Sequence, residues 1–191
     1  MKKAILITLV LFYSAISFSQ LTVTRKEGSS VITKLSLGFK INGNSSLKRE
    51  YITVNDPDCP VQVNDAGVET SYNSPSYSFR PVGTLGMKEP ITAYEVVHVI
   101  YNVFGEHMQS LSNTEVADMD GQKDFSKSSS WYATENNVSE YLICVSYVAN
   151  VRTKSGKLWH YNFKALKDQL NKLEITFEEG YAPKKDREKE K

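Results

Sequence analysis

Only two of the 191 residues are cysteine, three are histidine and six are proline. Two cysteines cannot build a disulfide-rich scaffold or a four-cysteine zinc site. Charge of one sign is lacking too: 23 basic residues stand against 22 acidic, a formal net charge of +1. The electrostatic footprint of a nucleic-acid binder is therefore missing. Long apolar runs are absent; even the one at the N-terminus is shorter than the ~20 residues a bilayer-spanning helix needs. Catalytic motifs are missing as well. There is no H-E-x-x-H and no glycine-rich phosphate loop. Ser126, Ser128, Ser129 and Ser130 lack the flanking glycines of a nucleophile elbow. His98, His107 and His160 show neither the strand spacing of two nor the helical spacing of three or four that a pair of metal ligands would share. What remains is 40% apolar and 24% charged, an ordinary globular composition of one-domain length. A chain this long buries roughly 70% of its unfolded surface and needs no metal to fold.

The first residues read as an export signal. Lys2 and Lys3 give a positive start, and Ala4 to Ile16 is mostly apolar. Ser17 and Ser19 then place small residues before a cleavage point, with Gln20 as the new N-terminus. The expectation is a cleaved signal over 1–19 and a periplasmic or extracellular address, with no membrane span after cleavage. Losing Lys2 and Lys3 takes the net charge from +1 to −1.

Period-2 alternation dominates the rest. Val31, Thr33, Leu35, Leu37, Phe39 and Ile41 line one side of a predicted strand, and Asn42 to Ser46 follow as turn chemistry. Tyr51–Val54, Val61–Val63 and Tyr77–Phe79 are short strand candidates. Ile91 to Phe104 is apolar on both sides, the mark of a central strand covered on both faces. Ser112 to Ser139 is polar and turn-rich, and reads as a long loop with a strand at Phe125 to Tyr132. Tyr141 to Val151 alternates strictly: Tyr141, Ile143, Val145, Tyr147, Ala149 and Val151 on one face, Cys144, Ser146 and Val148 on the other. A turn at Thr153–Lys157, with Gly156 suited to positive φ, returns the chain through Leu158 to Phe163 as a hairpin. The period then changes. Phe163, Leu166, Leu170 and Leu173 form the stripe of an amphipathic helix over about 164–174. Ile175–Phe177 could extend again, and 183–191 reads as a disordered charged tail.

These short strands with one late helix predict a mainly β protein, a single β-sandwich domain over 20–182. The stretches Tyr101–Glu106 and Val151–Trp159 resemble small exported bacterial domains of immunoglobulin-like or fibronectin-III-like build, over roughly residues 78–161. The resemblance implies an immunoglobulin-like sandwich. The cysteine–tryptophan–cysteine core of true immunoglobulin domains is not present, since Trp159 follows both cysteines and Trp131 lies in the polar stretch before Cys144.

Candidate chemistry is sparse. Cys59–Cys144 is the only intramolecular disulfide open to an exported chain, while Cys144 in mid-strand also suits a small core hydrophobe. Asp118–Met119–Asp120–Gly121 suggests a calcium loop, but in EF-hand register Val116 and Lys127 occupy ligand positions 1 and 12. A looser calcium site of Asp118, Asp120 and Asp124 remains the one metal candidate. Glu135, Glu140, Asp118 and Asp120 could pair for glycoside hydrolysis, yet no spacing brings two of them together. Among the aromatics, Trp131, Tyr132 and Tyr72 lie in polar surroundings and are the candidate contact residues, because Tyr and Trp give rigid contact area with a polar handle.

The expectation is a non-enzymatic binding or structural module of the bacterial envelope, without a cofactor. It would meet a protein partner through the 112–139 loop, with Trp131 as anchor. The alternative is a cell-surface carbohydrate-binding protein or weak glycoside hydrolase, which predicts exposed aromatics in a row.

Overall fold

The computed structural model describes residues 21–32, 44–73, 76–126 and 129–175. The signal segment, most of the predicted 31–41 strand, the 176–177 extension and the charged tail lie outside them. Ten strands and two helices follow in chain order: β1 (Thr22–Ile32), β2 (Asn44–Asn55), β3 (Val61–Asn73), β4 (Ser76–Met87), β5 (Ile91–Asn102), β6 (His107–Met119), β7 (Gln122–Asp124), β8 (Trp131–Ala133), α1 (Glu135–Glu140), β9 (Tyr141–Thr153), β10 (Leu158–His160) and α2 (Phe163–Lys172). The mainly β class of the sequence reading holds.

The strands form two sheets. The six-stranded sheet runs β1-β2-β9-β5-β6, with β10 beside β9; the four-stranded sheet runs β3-β4-β7, with β8 also on β4. Pairing is antiparallel throughout except between β2 and β9, where Glu50–Thr53 run parallel to Ile143–Ser146. The six-stranded sheet is covered on both faces. On one side Val97, Val99, Val145, Tyr147 and Ala149 bury against Leu166 and Leu170 of α2. On the other, two clusters fill the space between the sheets, one around Val61, Leu85, Val96 and Phe125, the other around Phe79, Ile100, Leu111 and Tyr141. β5 therefore is the doubly covered central strand its sequence predicts, and the helix adds a third layer.

The predicted hairpin also forms. β10 pairs Leu158 with Arg152 and Trp159 with Val151, and Gly156 sits at φ +89°. The strict alternation of β9 does not hold. Its register against β5 skips Leu142 and Ala149. A bulge inserts one residue and swaps the faces beyond it. Val151 thus joins Val148 in the inter-sheet core, and Tyr141 joins Cys144 there.

The long loop is a second correction. Residues up to Met119 belong to β6, which pairs with β5 from Val116 back to His107. Ser110, Ser112 and Thr114 are on its exposed side, while Asn113 is buried, so polarity there does not signal a loop. The predicted strand at 125–132 is instead two short pieces, β7 against Thr84–Gly86 and β8 against Tyr77–Phe79. Pro81 lies between the two paired stretches, with no ladder partner on that side among the described residues, so its missing N–H costs no ladder bond there.

One ring packs unusually closely. Tyr51 of β2 lies between the backbones of β1 and β3. A Cβ on Gly67 would stand 2.5 Å from the Tyr51 ring, and one on Gly28 2.6 Å. Both strands must be bare there. Gly67→Ala is expected to cost about 1–3 kcal/mol by overpacking. Adding Tyr51→Leu should recover part of that loss, a non-additivity that a urea-denaturation double-mutant cycle reads directly.

Candidate functional site

Two exposed aromatics, Phe104 and Tyr132, lie at one end of the two packed sheets, where the β5–β6 turn, β8, α1 and the start of β9 come together. Phe79 of β4 meets Tyr141 edge-on, with ring centroids 5.5 Å apart, and Tyr141 is in register with Asn102, the last residue of β5. The turn after Asn102 is tightly organised. Asn102 Oδ1 accepts from the amides of Phe104 and Glu106, each at 2.9 Å, and its Nδ2 donates to the Glu106 carboxylate. The Asn102 amide donates to the Glu106 carbonyl at 2.8 Å. Gly105 takes φ +80°, a conformation that glycine adopts freely. The result is a fixed turn whose tip carries Phe104, 79% exposed. Sequence reading placed Phe104 on a strand face; the Asn-x-x-Gly spacing is the signal that marks it as a turn instead.

Register sorts the three predicted contact residues. Tyr72 opposes Tyr77 on β4, which opposes Ala133; Trp131 opposes Phe79; Tyr132 opposes Ser78. Tyr77, Phe79 and Ala133 are buried toward the core, so Tyr72 and Trp131 share the inner face and pack on that cluster. The rings of Tyr72 and Tyr77 stand 4.7 Å apart. Tyr132 points the other way and is 74% exposed. The three do not form one surface. Trp131 is half-buried against the core, which is a poor place for an anchor, and Tyr132 with Phe104 carries the exposed aromatic area.

This end is held rigid by Arg49, a residue that sequence reading missed. In the polar run Ser45–Arg49 it looks like surface charge, yet it is 1% exposed. Its Nη2 donates to the Val138 carbonyl of α1 at 3.1 Å and its Nε to the Tyr141 carbonyl at 3.3 Å. Its other end group donates to Ser29 Oγ at 2.8 Å and to Thr70 Oγ1 at 3.4 Å. The guanidinium also stacks 4.8 Å above the Tyr141 ring. One side chain thus ties β1, β2, β3, α1 and β9 together. The adjoining helix is closed by a capping box between Thr134 and Asn137.

A second polar constellation lies in the interior. His98 Nδ1 bonds Ser146 Oγ at 2.8 Å, and Cys144 Sγ lies 3.6 Å from the same hydroxyl. All three residues are fully buried. Burial alone pushes His98 down to about 3. Burial likewise pushes the Cys144 thiol up to about 12, against smaller lowering contributions from Ser146 and Tyr141. A neutral imidazole beside a protonated thiol, closed to solvent, is a core polar seam and not an activated nucleophile.

The remaining candidates do not assemble. Cys59 and Cys144 are both free and buried, in different clusters of the inter-sheet core, so the structure holds thiols where a disulfide was open. Burial pushes the Cys59 thiol up to about 12 as well. Native protein is therefore expected to resist alkylation at neutral pH. Unfolding without reductant should expose two reactive thiols, counted by intact mass. Asp118 pairs with Lys154 at 3.3 Å, Asp120 accepts from the Gly121 amide and Asp124 from the Ser126 amide. Their carboxylates serve separate turns, and no group of three metal-ligating side chains occurs among the described residues. His160, exposed as expected, bonds Asn150 Oδ1 at 2.6 Å, and Asn150 in turn donates to Glu95. No helix among the described residues is long and apolar enough to cross a membrane.

Comparison with known protein families, curated proteins and solved structures finds no match.

Proposed function

We propose that the chain is an exported binding module of the bacterial envelope, a sandwich of immunoglobulin-like build that meets a protein partner with its aromatic end. The observation that carries this reading is Phe104, 79% exposed on a turn whose amides at Phe104, Gly105 and Glu106 are already bonded. An aromatic presented without conformational cost suits a binding anchor, because little ordering entropy is lost on association. Tyr132 adds a second exposed ring at the same end, and the Arg49 clamp ties the neighbouring α1 and the start of β9 to β1, β2 and β3. The absence of every sequence motif for nucleophilic, metal or phosphate chemistry favours binding over catalysis.

A glycan partner is the less favoured reading. It calls for a row of exposed aromatics, and among the described residues of the four-stranded sheet Tyr132 is the one aromatic that stands exposed. The test is photo-crosslinking in intact cells with a reactive amino acid at position 103, beside Phe104 in the same turn. Phe104→Ala with Tyr132→Ala is expected to reduce partner capture by about thirtyfold, the size of an aromatic hot spot. Leu158→Ala at the opposite end should leave capture unchanged. The reading fails if the double variant captures as well as the parent chain.

A further inference from the structure

Among the described residues the strand order of the two sheets ends on β1 and β6 in one and on β3 and the β7–β8 line in the other, and three of these four edges carry devices that block strand addition. β1 is interrupted by register shifts at Glu27/Ser30 and Ser30/Ile32 and bears Arg25 and Lys26. β3 is broken between Asn64 and Gly67, with Asp65 at φ 51°. The far edge of the four-stranded sheet is cut into β7 and β8, three residues each. Bulges, basic residues and short strands are the usual means of keeping an edge from pairing.

β6 is shifted in register only toward its ends, between His107 and Gln109 and between Val116 and Met119. It pairs with β5 through eight consecutive residues, Gln109 to Val116, without a register shift. That stretch contains no proline, glycine, lysine or arginine. Its single charge, Glu115, is neutralised by Lys123 and takes a hydrogen bond from Tyr94 at 2.9 Å. No strand lies on its other side among the described residues. Ser110, Ser112, Thr114 and Val116 are its exposed side chains, and Val116 is 80% exposed.

We infer that the Gln109–Val116 edge of β6 is a docking edge for a second copy of this chain, pairing antiparallel across a two-fold axis. The sequence of the edge selects that occupant. With both four-stranded sheets on the same side, even-numbered residues oppose even-numbered ones. Serine and threonine then meet serine, threonine or valine, which are favourable cross-strand pairs. No uncompensated charge meets its like. A strand addition of eight residues spans about 27 Å, and it would join two six-stranded sheets into one. An isologous contact of this kind closes on itself and leaves no edge for a third copy.

Light scattering on the purified wild-type chain, from micromolar to hundred-micromolar concentration, is expected to show the mass doubling. Ser112→Lys with Thr114→Lys sets like charges against each other across the axis and should weaken association by about tenfold or more. Hydrogen exchange on the wild-type chain keeps the test independent of how that variant folds. Amide protection should rise with concentration within 109–116. A chain that stays monomeric throughout, or dimer protection confined to other strands, would overturn the inference.

Discussion

Replacing Arg49 with alanine is expected to lower the unfolding free energy by about 3–5 kcal/mol, the range for breaking a buried polar network. The cause is the number of groups that lose their partner together. The Val138 and Tyr141 carbonyls, Ser29 Oγ and Thr70 Oγ1 all accept from this guanidinium. No carboxylate pairs with it among the described residues; its charge rests on neutral acceptors and the face of Tyr141. Burial opposes that charge and lowers the Arg49 pKa, partly offset by Tyr141 and Tyr51, yet an arginine remains protonated in any case. Arg49→Lys should lose most of the same stability. Its three donors on one nitrogen cannot span acceptors on α1, β1 and β3 as a planar fork does. Guanidinium denaturation followed by the fluorescence of Trp131 and Trp159 measures both. A loss below about 1 kcal/mol for Arg49→Ala would mean that desolvation cancels the hydrogen bonds.

Acid is the second lever. His98 is held neutral between the sheets, its pKa pushed down from the ordinary 6.5 to about 3 by burial. The unfolded chain therefore binds a proton that the folded chain refuses. Stability is complete above pH 6.5 and falls as the pH drops toward 3, at up to about 1.4 kcal/mol per pH unit. At pH 4 the loss reaches about 3 kcal/mol, a large part of a typical domain's stability. The groups facing His98 do not relieve this. Ser146 and Phe125 are uncharged, Cys144 is held as a thiol, and Glu95 lies on the opposite face of β5. Glu115, whose carboxyl Lys123 holds below its ordinary value of 4.5, adds its own loss only as the pH falls below that value, so pH 5 to 6.5 isolates the histidine. The double variant His98→Leu/Ser146→Ala removes both polar partners and should flatten the profile in that window. An unchanged slope would assign the acid sensitivity elsewhere.

Much of this architecture is legible in the amino-acid order, and the illegible parts share a cause. The two-faced apolar pattern of Val96–Tyr101 marks β5 as central, because only a sheet covered on both sides satisfies it. The β9–β10 hairpin is local, and its turn residues announce it. The faces of β9 could not be assigned correctly, since the bulges at Leu142 and Ala149 depend on register against β5, which no local pattern records. The polar stretch from Ser112 to Met119 was misread for a similar reason. The strand alternates, with Ser112, Thr114 and Val116 exposed against a buried Asn113 and a half-buried Glu115, but its inward residues are themselves polar, so no apolar face marks it. At the candidate site, Tyr132 is exposed, as its polar surroundings in the sequence suggest. Trp131 was misjudged because its neighbours in sequence are polar while its neighbours in space are Phe79 and the core. Arg49 could not have been found at all: each partner lies about 20 residues or more away.

The place of β9 in the sheet has a consequence for the order in which the molecule can be made. β9 stands between β2 and β5, and pairs Glu50 with Ile143. Until residues 141–153 have left the ribosome, β1–β2 and β5–β6 are two ribbons with no strand to pair one to the other among the described residues. The core beneath α2 cannot close either, because Val145, Tyr147 and Ala149 are its floor. Such distant pairings make loop closure costly and folding slow. A growing chain of this sequence thus stays open until most of it has been synthesised, and the six-stranded sheet is completed by its central strand.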